Sequence, residues 1–204
     1  MATSVNLAIL SRWANPNGGN PLMGEYQPNT LEYTHVASAI NIARAMLSTE
    51  IARRSMTTLA RRWDQMENNS RLFGGDRDLI RSNVDAFVDA ILSDFPFIVV
   101  DFELVNPDVL AYHPRGNWDG LFVPRDQAVV LNASRLLDMG QAGQTSPSQF
   151  RIFQFQLANT LVHEVGAHVF VTYLGNGRPI TPPISSIPTT RPAKKAGSQA
   201  DFWS

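Results

Sequence analysis

From Thr34 to Asn68 the chain has neither glycine nor proline. Over this run it places Ile40, Ala43, Leu47, Ile51, Leu59, Trp63 and Met66 at mostly helical spacing, with Arg53, Arg54, Arg61 and Arg62 between them. That pattern predicts one long helix, or two joined near Ser48. Gly74-Gly75 breaks the run, and Asp76 or Asp78 can cap a further helix with Ile80, Val84, Phe87, Val88 and Ile91 on one face, ended by Pro96. Phe97 to Leu104 (FIVVDFEL) is short, β-branched and aromatic, the strongest strand segment in the chain. Asn106-Pro107 closes it and opens an irregular stretch through Tyr112-His113-Pro114-Arg115 to Trp118, after which Gly120 to Val123 and Ala128 to Asn132 fit two further short strands.

Met139 to Ser146 reads as a Gly/Gln/Ser/Thr connection. Ser146, with Pro147 next and Gln149 three residues on, combines an N-cap, a proline at the first helical position and a capping-box partner. The helix it starts is predicted to reach Leu174, where Gly175-Asn176-Gly177 supplies the stop. Its first half carries Phe150, Phe153, Leu157 and Leu161, which predicts burial in the middle of the domain. At the N-terminus, Asn15 to Pro21 is a turn-forming cluster, and residues 1–30 read as an irregular segment. At the other end, residues 178–204 form a proline-rich tail, expected to lie extended over the surface.

A length of 204 residues suits one domain. Charged residues make up 17% and the net charge is -1, so no large field points to nucleic acid or anionic lipid. The arginine pairs read most simply as a solvated helix face. With no cysteine, disulfides, thiol catalysis and thiolate zinc sites are excluded together. No stretch has the roughly 20 apolar residues of a membrane span, and the first residues lack the basic start of a signal peptide. The expectation is a soluble, cytoplasmic protein with no nucleic-acid or membrane partner. Oligomeric state is not legible.

The chemistry concentrates in His163-Glu164-Val165-Gly166-Ala167-His168, near the end of the predicted long helix. In the zinc-protease pattern H-E-x-x-H, two imidazoles one turn apart grip a metal and the glutamate activates water. Here three residues separate Glu164 from His168. In a regular α-helix five residues rotate by about 500°, which leaves the two histidines about 140° apart. A shared ion therefore requires a π-bulge, for which Gly166 is the natural place. Zinc hydrolysis also needs a third protein ligand. Downstream, Asp201 is the sole acid, with Gln199 beside it as a neutral oxygen donor; upstream, His35 and His113 are alternatives, and His113 could instead serve an oxyanion. Two histidines on an apolar helix are commonly ordinary core or boundary residues. The glutamate between them favours chemistry, because a buried carboxylate needs a partner.

The H-E-x-x-x-H spacing resembles the dipeptidyl peptidase III metallopeptidases over these six residues. That family's second motif, a glutamate-rich helix, has no counterpart here. A second resemblance, over the last 45 or so residues, is to small fungal zincin-type domains. It rests on His163 to His168, Tyr173-Leu174-Gly175, Thr181-Pro182-Pro183 and Gly197-Ser198-Gln199-Ala200. It implies a glutamate where this chain has Gln199, and so a weakened metal site.

The expected architecture is a single zincin-like α+β domain, with several helices, a small mixed sheet between residues 97 and 132, and a central motif helix over 147–174. The expected function is a zinc-dependent hydrolase, a metallopeptidase acting on a peptide or protein. In it His163, His168 and Asp201 are ligands, Glu164 is the general base, and Gln199 and His113 are alternative third-ligand or oxyanion positions. The rival expectation is a catalytically inactive zincin-like domain that binds metal or a protein partner.

Overall fold

The computed structural model describes residues 7–65, 73, 76–115 and 121–175. Strand β1 (Ile9–Trp13) turns back antiparallel to β2 (Leu22–Glu25) through the Asn15–Asn20 cluster. In that turn Gly18 and Gly19 have φ of 75° and 91°, a region that favours glycine. The cluster therefore closes a hairpin and does not set the N-terminal residues apart as irregular. The hairpin is missed in the sequence because β2 is exposed throughout and β1 is only five residues long.

Helices α1 (Leu31–Leu47) and α2 (Glu50–Asp64) follow, separate and joined at Ser48-Thr49, with Thr30 and Thr49 as N-caps. The break resets the helical phase. Ile51 falls outside the buried stripe and is exposed, while Met56 and Ala60 are buried in its place. Helix α3 (Arg77–Ser93) is capped by Asp76 and buries Ile80, Val84, Phe87, Val88 and Ile91, as their spacing predicts. Strand β3 (Phe97–Asp101) follows, then β4 (Ala111–Tyr112) and β5 (Ala128–Asn132), the last preceded by a 3-10 turn at Pro124–Asp126. Residues 121–123 form no strand, and Gly120 lies outside the described residues.

The sheet is larger than expected, five strands in the order β2-β1-β3-β5-β4. Its three central strands are parallel and the outer two antiparallel. Ile9, Ile98 and Val129 lie side by side in register and, with Val100 and Leu131, turn one sheet face into the helical core.

Residues 133–145 form helix α4 (Ala133–Thr145), capped by Asn132; the helix takes in most of the stretch from Met139 to Ser146 expected as a connection. Its glycines have a packing reason. A Cβ on Gly143 would lie 3.4 Å from the Phe150 ring, and one on Gly140 would reach His35 of α1. Small residues thus let α4 approach α1 and the motif helix closely, so a loop-like composition belongs to a buried helix–helix contact.

The motif helix begins at the predicted cap, with the Gln149 N–H donating to Ser146 Oγ. It comprises α5 (Pro147–His163), a π-helical segment (Glu164–Val169) and α6 (Phe170–Leu174). Its first half is less buried than its apolar letters suggest: Ile152 and Phe155 are exposed, Phe150 and Phe153 half-buried. From Leu157 onward the helix sinks into the core, between α1 and α4 first and against α2 beyond. The fold is one mixed α+β domain, with the motif helix central. Among the described residues no helix is long and apolar enough to cross a membrane.

Candidate metal centre

The π segment supplies the geometry that the letter count demands. One residue is added to the turn, and the two imidazoles return to one side of the helix. His163 Nε2 and His168 Nε2 lie 3.1 Å apart, with ring planes at 73°. For two zinc–nitrogen bonds of about 2.05 Å, that 3.1 Å separation corresponds to an angle of about 100° at the metal, near tetrahedral.

The wide turn is held in place by packing. Val165, Val169 and Phe170 are fully buried, each burial contributing about 1.5–3 kcal/mol, which offsets the poorer hydrogen bonding of a π turn. The Gln154 amide donates to Ser38 Oγ of α1, and the Tyr173 hydroxyl to Asn83 Oδ1 of α3, fastening both ends of the motif helix. Gly166 sits inside the π segment without a positive φ, so access to the left-handed region is not its contribution. A Cβ there would meet Leu47 Cδ2 of α1 at 3.3 Å, and the small residue permits close approach of α1.

Burial fixes the protonation chemistry. Glu164 is 5% exposed, and desolvation pushes its carboxyl up to about 7; the His113 backbone N–H, which donates to it, and the Arg115 charge pull the other way. His168 is pushed down to about 4, first by desolvation and then by the neighbouring His163, Arg115 and His113. His163 is also lowered, by burial. Both imidazoles are therefore neutral at pH 7, the form that ligates a metal. Ligand atoms of His163, Glu164 and His168 all lie within 4.8 Å of one another, and this group could hold a metal ion.

The other candidates divide. His113 comes close but contributes its backbone. Its ring Nδ1 donates to the Ala128 carbonyl at 2.8 Å, and Nε2 lies 3.1 Å from the Thr172 hydroxyl. With both nitrogens engaged, His113 is a strut between β5 and α6 and not a ligand. His35 packs on Phe150 at the start of α5, about 20 Å of helix away from His163 at 1.5 Å per residue. Asp201, Gln199, the proline-rich tail and the Thr181-Pro182-Pro183 segment lie outside the described residues.

Arg115 is the site residue that sequence reading passed over. It follows β4, and its Nη2 lies 3.1 Å from His168 Nδ1. No motif links residues 53 positions apart, and only the fold brings the His113-Pro114-Arg115 loop across the π segment. The Arg53 and Arg54 pair, by contrast, forms no basic stripe. Arg53 bridges to Asp85 and Asp89 of α3, and Arg54 to Glu50.

Comparison with known proteins gave no match to a family model, to a curated sequence or to a solved structure.

Proposed function

We propose that the protein is a zinc-dependent hydrolase acting on peptide bonds, with His163 and His168 as metal ligands and Glu164 as general base. One observation carries this reading: a π turn sets two neutral imidazole nitrogens 3.1 Å apart beside a buried glutamate. A water on bound zinc has its pKa lowered toward neutrality. With zinc held by the two histidines, Glu164 would be the base that takes that water's proton and passes it to the leaving amine. Asp201 is the proposed third ligand, with Gln199 as its neutral alternative.

The test is hydrolysis of a peptide library by zinc-loaded protein against a Glu164→Gln variant. The variant is expected to keep its zinc and lose about 10²–10⁴-fold in rate. Equal rates would remove the peptidase reading.

A second reading, a metal-holding domain without hydrolytic activity, is favoured by Gln199, a neutral amide where the fungal zincin-type resemblance implies a glutamate. Stoichiometric zinc with no Glu164-dependent hydrolysis would select it.

A further inference from the structure

The contact between Arg115 and His168 fixes more than a distance. A guanidinium has five N–H donors and no acceptor. At 3.1 Å from Nη2, His168 Nδ1 must therefore present its lone pair. In a neutral ring the proton then sits on Nε2, 3.1 Å from His163 Nε2, which accepts it. Arg115, His168 and His163 form a directed chain of two hydrogen bonds. Its middle member carries a proton on the nitrogen a metal would need.

We propose that Arg115 competes with the metal ion for His168, so that loading the site requires the guanidinium to give up its bond to the ring. This rests on the metal-binding reading above. Binding through both Nε2 atoms takes the proton off His168 Nε2. A neutral ring then recovers one at Nδ1, so no proton is gained or lost overall. The new Nδ1–H points at a group that can only donate, and the two repel. Keeping the Arg115 bond would instead require the ring to lose its remaining proton and bind as an anion. The ordinary arrangement, an acceptor behind each zinc-bound histidine, strengthens metal binding; a donor in that place opposes it. Arg115 thus acts as a gate on metal loading.

Two measurements on the full chain test this. The first is the His168 tautomer, read by nitrogen-15 NMR of the imidazoles at neutral pH. Metal-free protein is expected to carry the proton on Nε2, and protein with one equivalent of zinc on Nδ1. A simple charge effect of Arg115 would not fix the metal-free tautomer. Finding Nδ1–H already in the metal-free protein would overturn the proposal, and this arm needs no variant to fold. The second is zinc affinity by competition with a chromophoric chelator. Arg115→Met is expected to bind zinc at least about tenfold more tightly than the unaltered chain. Unchanged or weaker binding overturns the gate alone, since zinc still binds. Zinc binding by neither protein overturns both the gate and the metal reading.

Discussion

Glu50 opens α2 on the surface, where Arg81 and Arg54 hydrogen-bond to its carboxylate and hold it down at about 2. Glu164 lies in the π segment, where burial pushes the same side chain up to about 7. The first belongs to a face of matched opposite charges, in which Arg53 and Arg81 also reach Asp85. The second sits among two neutral imidazoles and one arginine. The difference separates two uses of ionisable residues. A compensated surface network ties α2 to α3 and leaves its members in their ordinary charge states. A buried group with incomplete compensation is displaced from its ordinary titration range, Glu164 upward and His168 downward, the kind of perturbation that clusters at functional sites.

The contrast can be broken most severely through the π turn itself. Deleting Ala167 converts the motif to H-E-x-x-H, with the two histidines one regular α-turn apart, and zinc binding is expected to survive. Inserting a second alanine after Ala167 moves His168 a further 100° or so around the helix and should abolish it. A zinc titration of the two proteins checks both; loss of binding on deletion would mean that the wide turn supplies more than phase.

The pH dependence of stability in metal-free protein comes next. Glu164 has a folded pKa raised from 4.5 to about 7, so the folded state holds more protons in that window and stability falls as pH rises through it. His168 is lowered from 6.5 to about 4, so the unfolded state holds more protons and stability rises with pH across that window. The two oppose each other. Relative to the unaltered chain, Glu164→Gln should make the stability slope more positive between 4.5 and 7. His168→Ala should make it more negative between 4 and 6.5. Each change is bounded at about 1.4 kcal/mol per pH unit for a single proton. Denaturant unfolding across that range reads the slopes, and changes in slope of the same sign would contradict the opposite effects of burial on the two groups.

How much of this was legible follows from the range of the forces involved. Caps at Ser146 and Asp76, the α3 stripe and strands β3 and β5 depend on residues a few positions apart, and local pattern shows them. Strand β1 finds its partner β3 89 residues away, and its five letters carry no comparable signal. Helix α4 hides behind Gly140 and Gly143, which are small for the sake of packing against His35 and Phe150. At the centre, counting residues between His163 and His168 exposes the need for a π turn. Arg115, whose guanidinium lies 3.1 Å from His168 Nδ1, is brought there only by the tertiary fold.

Smaller effects sharpen the comparison. Gly166→Ala puts a methyl 3.3 Å from the tip of Leu47, a crowding that a shift of a few tenths of an ångström relieves, and the gain of about 1 kcal/mol in helix propensity opposes it, so the net change in stability and zinc affinity is expected to be small. Thermal melts with and without zinc separate the two. Least of all, Glu50→Gln on the exposed face should leave zinc binding untouched. The stabilisation Glu50 gives is present above its unfolded pKa and lost as pH falls toward about 2. It should also fade in roughly 1 M salt, where exposed charges are screened.

The central claim is that His163 and His168 share one ion despite their five-residue spacing. Metal content per chain, measured by elemental analysis after purification without chelator, tests it directly. About one zinc in the unaltered protein, lost in both His163→Ala and His168→Ala, is the result expected. Metal-free protein that takes up no zinc on addition, or zinc retained in either variant, would contradict it.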